Sequence, residues 1–297
     1  MIRLLVAEHL WLVRRRPLRL AVLLAVVCAT ALPVVRQVHS STDVSRALAD
    51  AERDAAVALA QGVDIPLEHL YLEPRYQLAV QLPVDVAALA LGVAVMMLVT
   101  SAVAVGSEWR SGTVRLSWVT PEARSVPAAV RVTVWWAAGT VVGAASLLLC
   151  CAGLMIVGHL GGLSDGVSAV AAAGVVVRGA LLVGAASAVG AATATVCRSD
   201  VAVLTVVLTY VIVVEMLVVG LRTGQGYQSP GAQAFTLVGG VRPGVSPEVE
   251  TVCSPAPRCS VVLEPLWGEP RTYWAVGLTL ACLVLVAARS ARRPWWR

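Results

Sequence analysis

Residues 82–105 read LPVDVAALALGVAVMMLVTSAVAV, 24 positions that are almost wholly apolar. A helix that crosses the hydrocarbon core of a bilayer needs about 20 such residues. Five further stretches qualify: 17–35, 129–157, 168–196, 200–221 and 272–289. The third and fourth spans in chain order exceed one bilayer thickness and can tilt or extend into the headgroups. Trp135 and Trp136 suggest that the third span enters the membrane near those residues, because indole favours interfaces. Composition agrees. The chain has 297 residues, 58% apolar and 14% charged, with a mean hydropathy of +0.79. Soluble domains are about half apolar and a quarter charged, so one large soluble domain is excluded, and disorder with it. The expected fold is all-α: a polytopic membrane protein with six transmembrane helices.

Arginine bias predicts the orientation. With the N-terminus inside, the segments facing the cytoplasm carry Arg3, Arg14, Arg15, Arg16, Arg19, Arg110, Arg115, Arg124, Arg131, Arg198, Arg289, Arg292, Arg293 and Arg297. The opposite segments carry Arg36, Arg46, Arg53, Arg75, Arg222, Arg242, Arg258 and Arg271, spread over a longer stretch of chain. Acids lean the other way. Both termini, including the tail 290–297, are therefore expected in the cytoplasm. The alternative of a cleaved signal peptide around Ala29-Thr30-Ala31 leaves the orientation of the other spans unchanged. Lysine and asparagine are absent, which points to a GC-rich bacterial genome and a bacterial cell membrane.

Residues 1–16 place Ile2, Leu5, Val6, His9, Leu10 and Val13 at helical spacing, the pattern of an elbow helix lying in the membrane interface. A basic cluster follows, and Pro17 opens the first span. The segment 36–81 contains an amphipathic helix, 43–61, with Val44, Leu48, Ala51, Ala55 and Leu59 on one stripe. It reads as a solvated cap, or else as a surface that meets substrate. The segment 222–271 is rich in Gly and Pro, with little periodicity. Cys253 and Cys259 fall in it, in the compartment where disulfides persist, and are expected to pair. The remaining cysteines lie in or beside spans as packing residues. No Cys/His spacing suggests a metal site.

The loop 106–128 is the informative one. Ser111-Gly112-Thr113 is a turn signal, and Thr113 can cap a short helix. Leu116, Trp118 and Val119 give that helix an apolar face. Thr120-Pro121-Glu122 then restarts the chain as a helix, with Arg124 and Arg131 leading back to the membrane. A short stiff element held between two long spans can receive a push from a soluble partner. Its apolar residues supply contact and its charges, Glu108, Arg110 and Arg115 among them, supply register.

Here the chain resembles a known family. The string Glu108-x-x-x-Gly112-Thr113-x-Arg115, then Pro121-x-x-Arg124, then Arg131 entering a span, is similar to the permease subunits of ABC-2 type transporters. That family often has Lys where this chain has Arg131, which keeps the charge but alters its geometry. The resemblance implies a type V exporter-like architecture, in which this loop is the coupling helix that docks into an ATPase subunit. It implies a half-transporter: two permease chains, identical or different, above two separate ATPase chains that bind ATP and Mg. Without lysine this chain can build no Walker A loop, so it carries no catalytic residues and no cofactor of its own.

Two charges lie deep in spans four and five. Arg178 and Glu215 stand at similar depth on adjacent antiparallel helices. A lone charge in lipid is costly, so a structural pair is the first expectation. Residues lining a pathway, or a snorkelling Arg178, are the others. Gly139-x-x-x-Gly143, with Ala180, Gly184, Ala186 and Gly190, permits close helix approach, within one subunit or between two. No hydrolase or metalloprotease motif is present. No nucleic-acid partner is expected. The competing class is a membrane scaffold or signalling partner that transports nothing.

Overall fold

A computed structural model describes residues 15–39, 44–60, 76, 78–112, 125–161, 169–199, 201, 205, 230–239, 250–253 and 259–262. These form helices α1 (Arg16–His39), α2 (Val44–Ala60), α3 (Leu78–Ser111), α4 (Ser125–Gly161), α5 (Ala169–Cys197) and α6 (Pro230–Gly239). Among the described residues, α1, α3, α4 and α5 are long and apolar enough to cross a membrane. The expected spans 200–221 and 272–289 lie outside the described residues, apart from Val201 and Thr205. So do residues 1–14 of the expected elbow helix.

The helices run past the limits that hydropathy set. The second expected span, 82–105, continues as α3 to Ser111, and the third, 129–157, is the 37-residue α4. Gly106 does not stop α3, because the polar groups beyond it find partners. Ser107 Oγ donates to the Ala104 carbonyl at 2.8 Å and Ser111 Oγ to the Glu108 carbonyl at 3.2 Å. The helix ends at Gly112, whose φ of 72° lies in the left-handed region that glycine enters without penalty. Its N–H donates back to the Trp109 carbonyl at 3.3 Å.

Helix α5 is central and packs against both α3 and α4. The small residues make this possible. A Cβ on Gly139 of α4 would stand 2.7 Å from Ser187 Cβ, and one on Gly143 would stand 2.9 Å from Val183 Cβ. On α5, Gly190 lies against the Leu98 carbonyl and Ser101 Oγ of α3. The small-residue faces thus serve packing within the chain. With lipid as apolar as leucine, close van der Waals contact is what draws such helices together.

Helix α1 sits at the edge, against α4 and α3. Leu18, Ala21, Ala25, Ala29 and Pro33 form its buried stripe at three- and four-residue spacing. Pro33 meets Gly153 of α4. Its other faces expose Leu20, Leu23, Leu24, Val27, Val34 and Val35, side chains suited to lipid. On α2, Ala51 of the expected stripe is buried and Leu59 is exposed. Helix α6 packs on α3 and α5 near Pro83 and Ala87, with Val238 buried.

One element departs from an all-α chain. Strands β1 (Glu250–Cys253) and β2 (Cys259–Val262) pair antiparallel within the segment read as aperiodic.

Gly190→Val is expected to overpack the α3–α5 contact and to cost about 1–3 kcal/mol. Gly92→Ala, where nothing lies within 4 Å, is expected to cost nothing by clash. Thermal unfolding of the two variants in lipid nanodiscs checks the contrast.

Candidate functional site

The buried charged side chains among the described residues, Glu108, Arg131 and Asp85, lie toward the two ends of the bundle. At one end α3 contributes Glu108. Its side chain is only 4% exposed, on a helix surrounded by apolar neighbours. An isolated carboxylate there would be strongly disfavoured, and two arginines answer it. Arg15, immediately before α1, places Nη2 at 2.8 Å from Oε1. Arg131, one turn and a half into α4, places Nη2 at 2.9 Å from Oε2, with its own side chain 7% exposed. Arg15 Nη1 also donates to the Ala104 carbonyl of α3 at 2.6 Å. Three helices are therefore tied at one carboxylate.

The next residue ties a fourth. Trp109 lies under the guanidinium of Arg198, 5.4 Å from ring centroid to Cζ, within the range of a cation–π contact. Arg198 closes α5. Its φ is 56°, a left-handed conformation that costs a non-glycine residue about 1–2 kcal/mol. Its N–H still caps the Ala194 carbonyl at 2.9 Å. The residue that ends the helix in strain is the one that covers the indole.

At the opposite end α3 contributes Asp85, also buried. Arg36 of α1 grips it with both forks: Nε donates to Oδ2 at 2.9 Å and Nη2 to Oδ1 at 2.5 Å. Two parallel bonds from one guanidinium fix orientation as well as charge. The Tyr76 hydroxyl donates to Oδ2 at 3.2 Å. Burial first, and the neighbouring Asp85 charge second, push the Tyr76 phenol well above its ordinary range, so it stays a donor. Hydropathy and motif reading missed this node. The available signal was an acid one turn inside an apolar span, which demands a partner, and an arginine flanking the preceding span.

The sequence-predicted residues divide accordingly. Glu108 and Arg131 are brought together inside the fold. Arg110 is exposed at the end of α3, and Gly112 terminates it. Thr113, Arg115, Leu116, Trp118, Pro121 and Arg124 lie outside the described residues. Arg178 is half-buried on α5 and its Nε donates to the Gly174 carbonyl of its own helix at 3.2 Å. Its expected partner, Glu215, lies outside the described residues. In the hairpin, Cys253 stands opposite Cys259 in the backbone register. Among the described residues no group of His, Cys, Asp and Glu is placed to hold a metal.

No family model matches the chain, and no curated protein or solved structure shows significant similarity to it.

Asp85→Asn leaves the Arg36 guanidinium without its counter-charge, and because that side chain is 39% exposed and can turn to water, the change is expected to cost about 1.5–3 kcal/mol. Tyr76→Phe, which removes one hydrogen bond, is expected to cost about 1 kcal/mol. Equilibrium unfolding of the full chain in detergent compares the two, and an equal loss would show that Arg36 is not the main partner.

Proposed function

We propose that the chain is the membrane-spanning permease subunit of an ATP-driven ABC-2 type exporter. The observation that carries this reading is the string Glu108-x-x-x-Gly112-Thr113-x-Arg115 with Pro121-x-x-Arg124, standing where one long apolar helix ends and the next begins. The left-handed Gly112 supports it. A helix that ran on through Thr113 would extend one span, whereas a stop there frees the following residues to form a separate element. In this reading the loop 107–124 faces the cytoplasm and presents its charges and apolar side chains to an ATPase chain. Six spans, both termini inside and a second permease chain complete the assembly. The hydrolysis of ATP, with Mg, belongs to two partner subunits.

The mechanism is mechanical. Closing of the ATPases moves the two loops, and each loop moves the spans on either side of it. The protein's work is to convert that displacement into alternate access across the bilayer, between helices whose exposed sides are largely apolar.

Arg115→Ala tests the reading most directly, because the side chain belongs to the loop. Co-purification with a Walker-type ATPase from the same cells is expected for the wild-type protein. The variant is expected to insert normally and to lose most of the ATP hydrolysis that depends on the permease. A wild-type chain that captures no ATPase would instead favour a scaffold.

The orientation carries a second prediction. It places the hairpin outside the cell, and cross-strand Cα atoms in direct register stand about 4.5–5.5 Å apart, within reach of a disulfide. Cys253 and Cys259 are expected to be oxidised together in protein purified without reductant. Peptide mass mapping before and after reduction reads this directly, and two free thiols would contradict the assigned side of the membrane.

A further inference from the structure

Two adjacent residues hold four helix ends. Glu108 takes Arg15 at the start of α1 and Arg131 in the first turns of α4. Trp109 takes Arg198 at the end of α5. Both sit in the last turn of α3, three and four residues before the glycine that ends it. A displacement of that turn cannot leave the other three ends behind without exposing a buried carboxylate or stripping a guanidinium from its ring. The first is a discrete break, because a 2.8 Å ion pair in a packed interior has no intermediate arrangement of comparable energy, and the second loses a weaker contact at the bundle surface, where Arg198 is exposed. Among the described residues, the far end of the bundle shows no such convergence. There Asp85 joins α3 to α1 through Arg36, with Tyr76 as its third member.

We propose that Glu108 and Trp109 are a transmission hub, which passes a displacement of the α3 end to α1, α4 and α5 together. The inference rests on the coupling reading above and assigns Glu108 a role inside the chain. It is a positioning residue that acts through Arg15 and Arg131. The hub makes the four ends one body, so a push on one becomes a movement of the whole bundle.

Hydrogen exchange of the full chain in nanodiscs of phosphatidylethanolamine and phosphatidylglycerol tests this. Glu108→Gln is expected to accelerate amide exchange by about tenfold or more in 131–135 as well as in its own turn. Arg131→Lys as a single change, which keeps a cation beside Glu108, is expected to retain most of the protection. Trp109→Leu is expected to accelerate 194–198 and to spare 131–135, so the proposal stays testable if the Glu108 variant is poorly folded. Asp85→Asn, an equal insult at the other end, is expected to leave these segments within about twofold of wild type. Acceleration confined to α3, or an equal response to Asp85→Asn, overturns the hub.

The second readout is ATP hydrolysis by the ATPase that co-purifies with the wild-type chain. Glu108→Gln is expected to reduce its permease-dependent part about tenfold while the ATPase still binds. Unchanged hydrolysis with altered exchange overturns transmission. Absence of any bound ATPase on the wild-type chain overturns the export reading itself, and the exchange pattern then decides the hub alone.

Discussion

A carboxylate taken out of water inside an apolar bundle needs compensation, and at Glu108 the compensation comes from two arginines on two other helices. This constraint shapes one end of the molecule. Arg15 must lie beside α3, so the start of α1 is placed. Arg131 must reach the same group, so the beginning of α4 is placed. Apolar packing alone specifies the register of α1 weakly, since three of the five residues of its buried stripe are alanines. Ion pairs of fixed geometry specify it more tightly.

The same logic recurs at the opposite end with a different carboxylate. Asp85 and Glu108 stand 23 residues apart on α3, about 35 Å along a helix, close to the thickness of a bilayer's apolar core with its margins. Their arginines on α1, Arg15 and Arg36, bracket a matching length. Helix α1 is the least buried of the four long helices, with most of its large side chains turned outward. Two terminal clamps, with Pro33 seated on Gly153 between them, hold a helix that packing alone holds weakly. The arrangement places the described buried ion pairs toward the ends of the bundle, and small and apolar side chains pack most of the middle.

Much of this was legible in the residues. The spans could be read because an uninterrupted apolar run has no other stable use, and α1 and α5 begin and end within a few residues of the expected limits. The stop at Gly112 followed from its turn chemistry. The close approach of Gly139 and Gly143 to α5 followed from their size, although spacing left open whether the partner lay in the same chain. The six turns of α3 before the membrane boundary were read correctly, and its last turn was not. Hydropathy falls at Ser107-Glu108-Trp109-Arg110, and a one-dimensional reading places such residues in water. The groups that hold Glu108 buried come from elsewhere: Arg15 pairs with it and reaches the Ala104 carbonyl 89 positions away, and Arg131 pairs with it from the next long helix. Pairings of that range leave no periodic trace. The motif that made Glu108 conspicuous also directed attention outward, to a partner, when its nearest partners are in the chain.

The surplus of positive charge around Glu108 has its own explanation. One carboxylate between two arginines leaves a net cation, and Arg198 adds another close by. The backbone supplies what the side chains lack. This is the C-terminal end of α3, where unpaired carbonyls carry the negative pole of the helix dipole. Arg15 adds a bond to the Ala104 carbonyl, within the last two turns of the helix, and the indole face of Trp109 offers Arg198 a further region of negative potential. The arginines are therefore matched to the end of a helix as much as to one residue. A neutral residue at position 108 would leave the carbonyls and the ring in place, so the cations would still be drawn there but without a fixed address. Glu108 turns a diffuse attraction into a defined geometry, and the proposed transmission rests on that property.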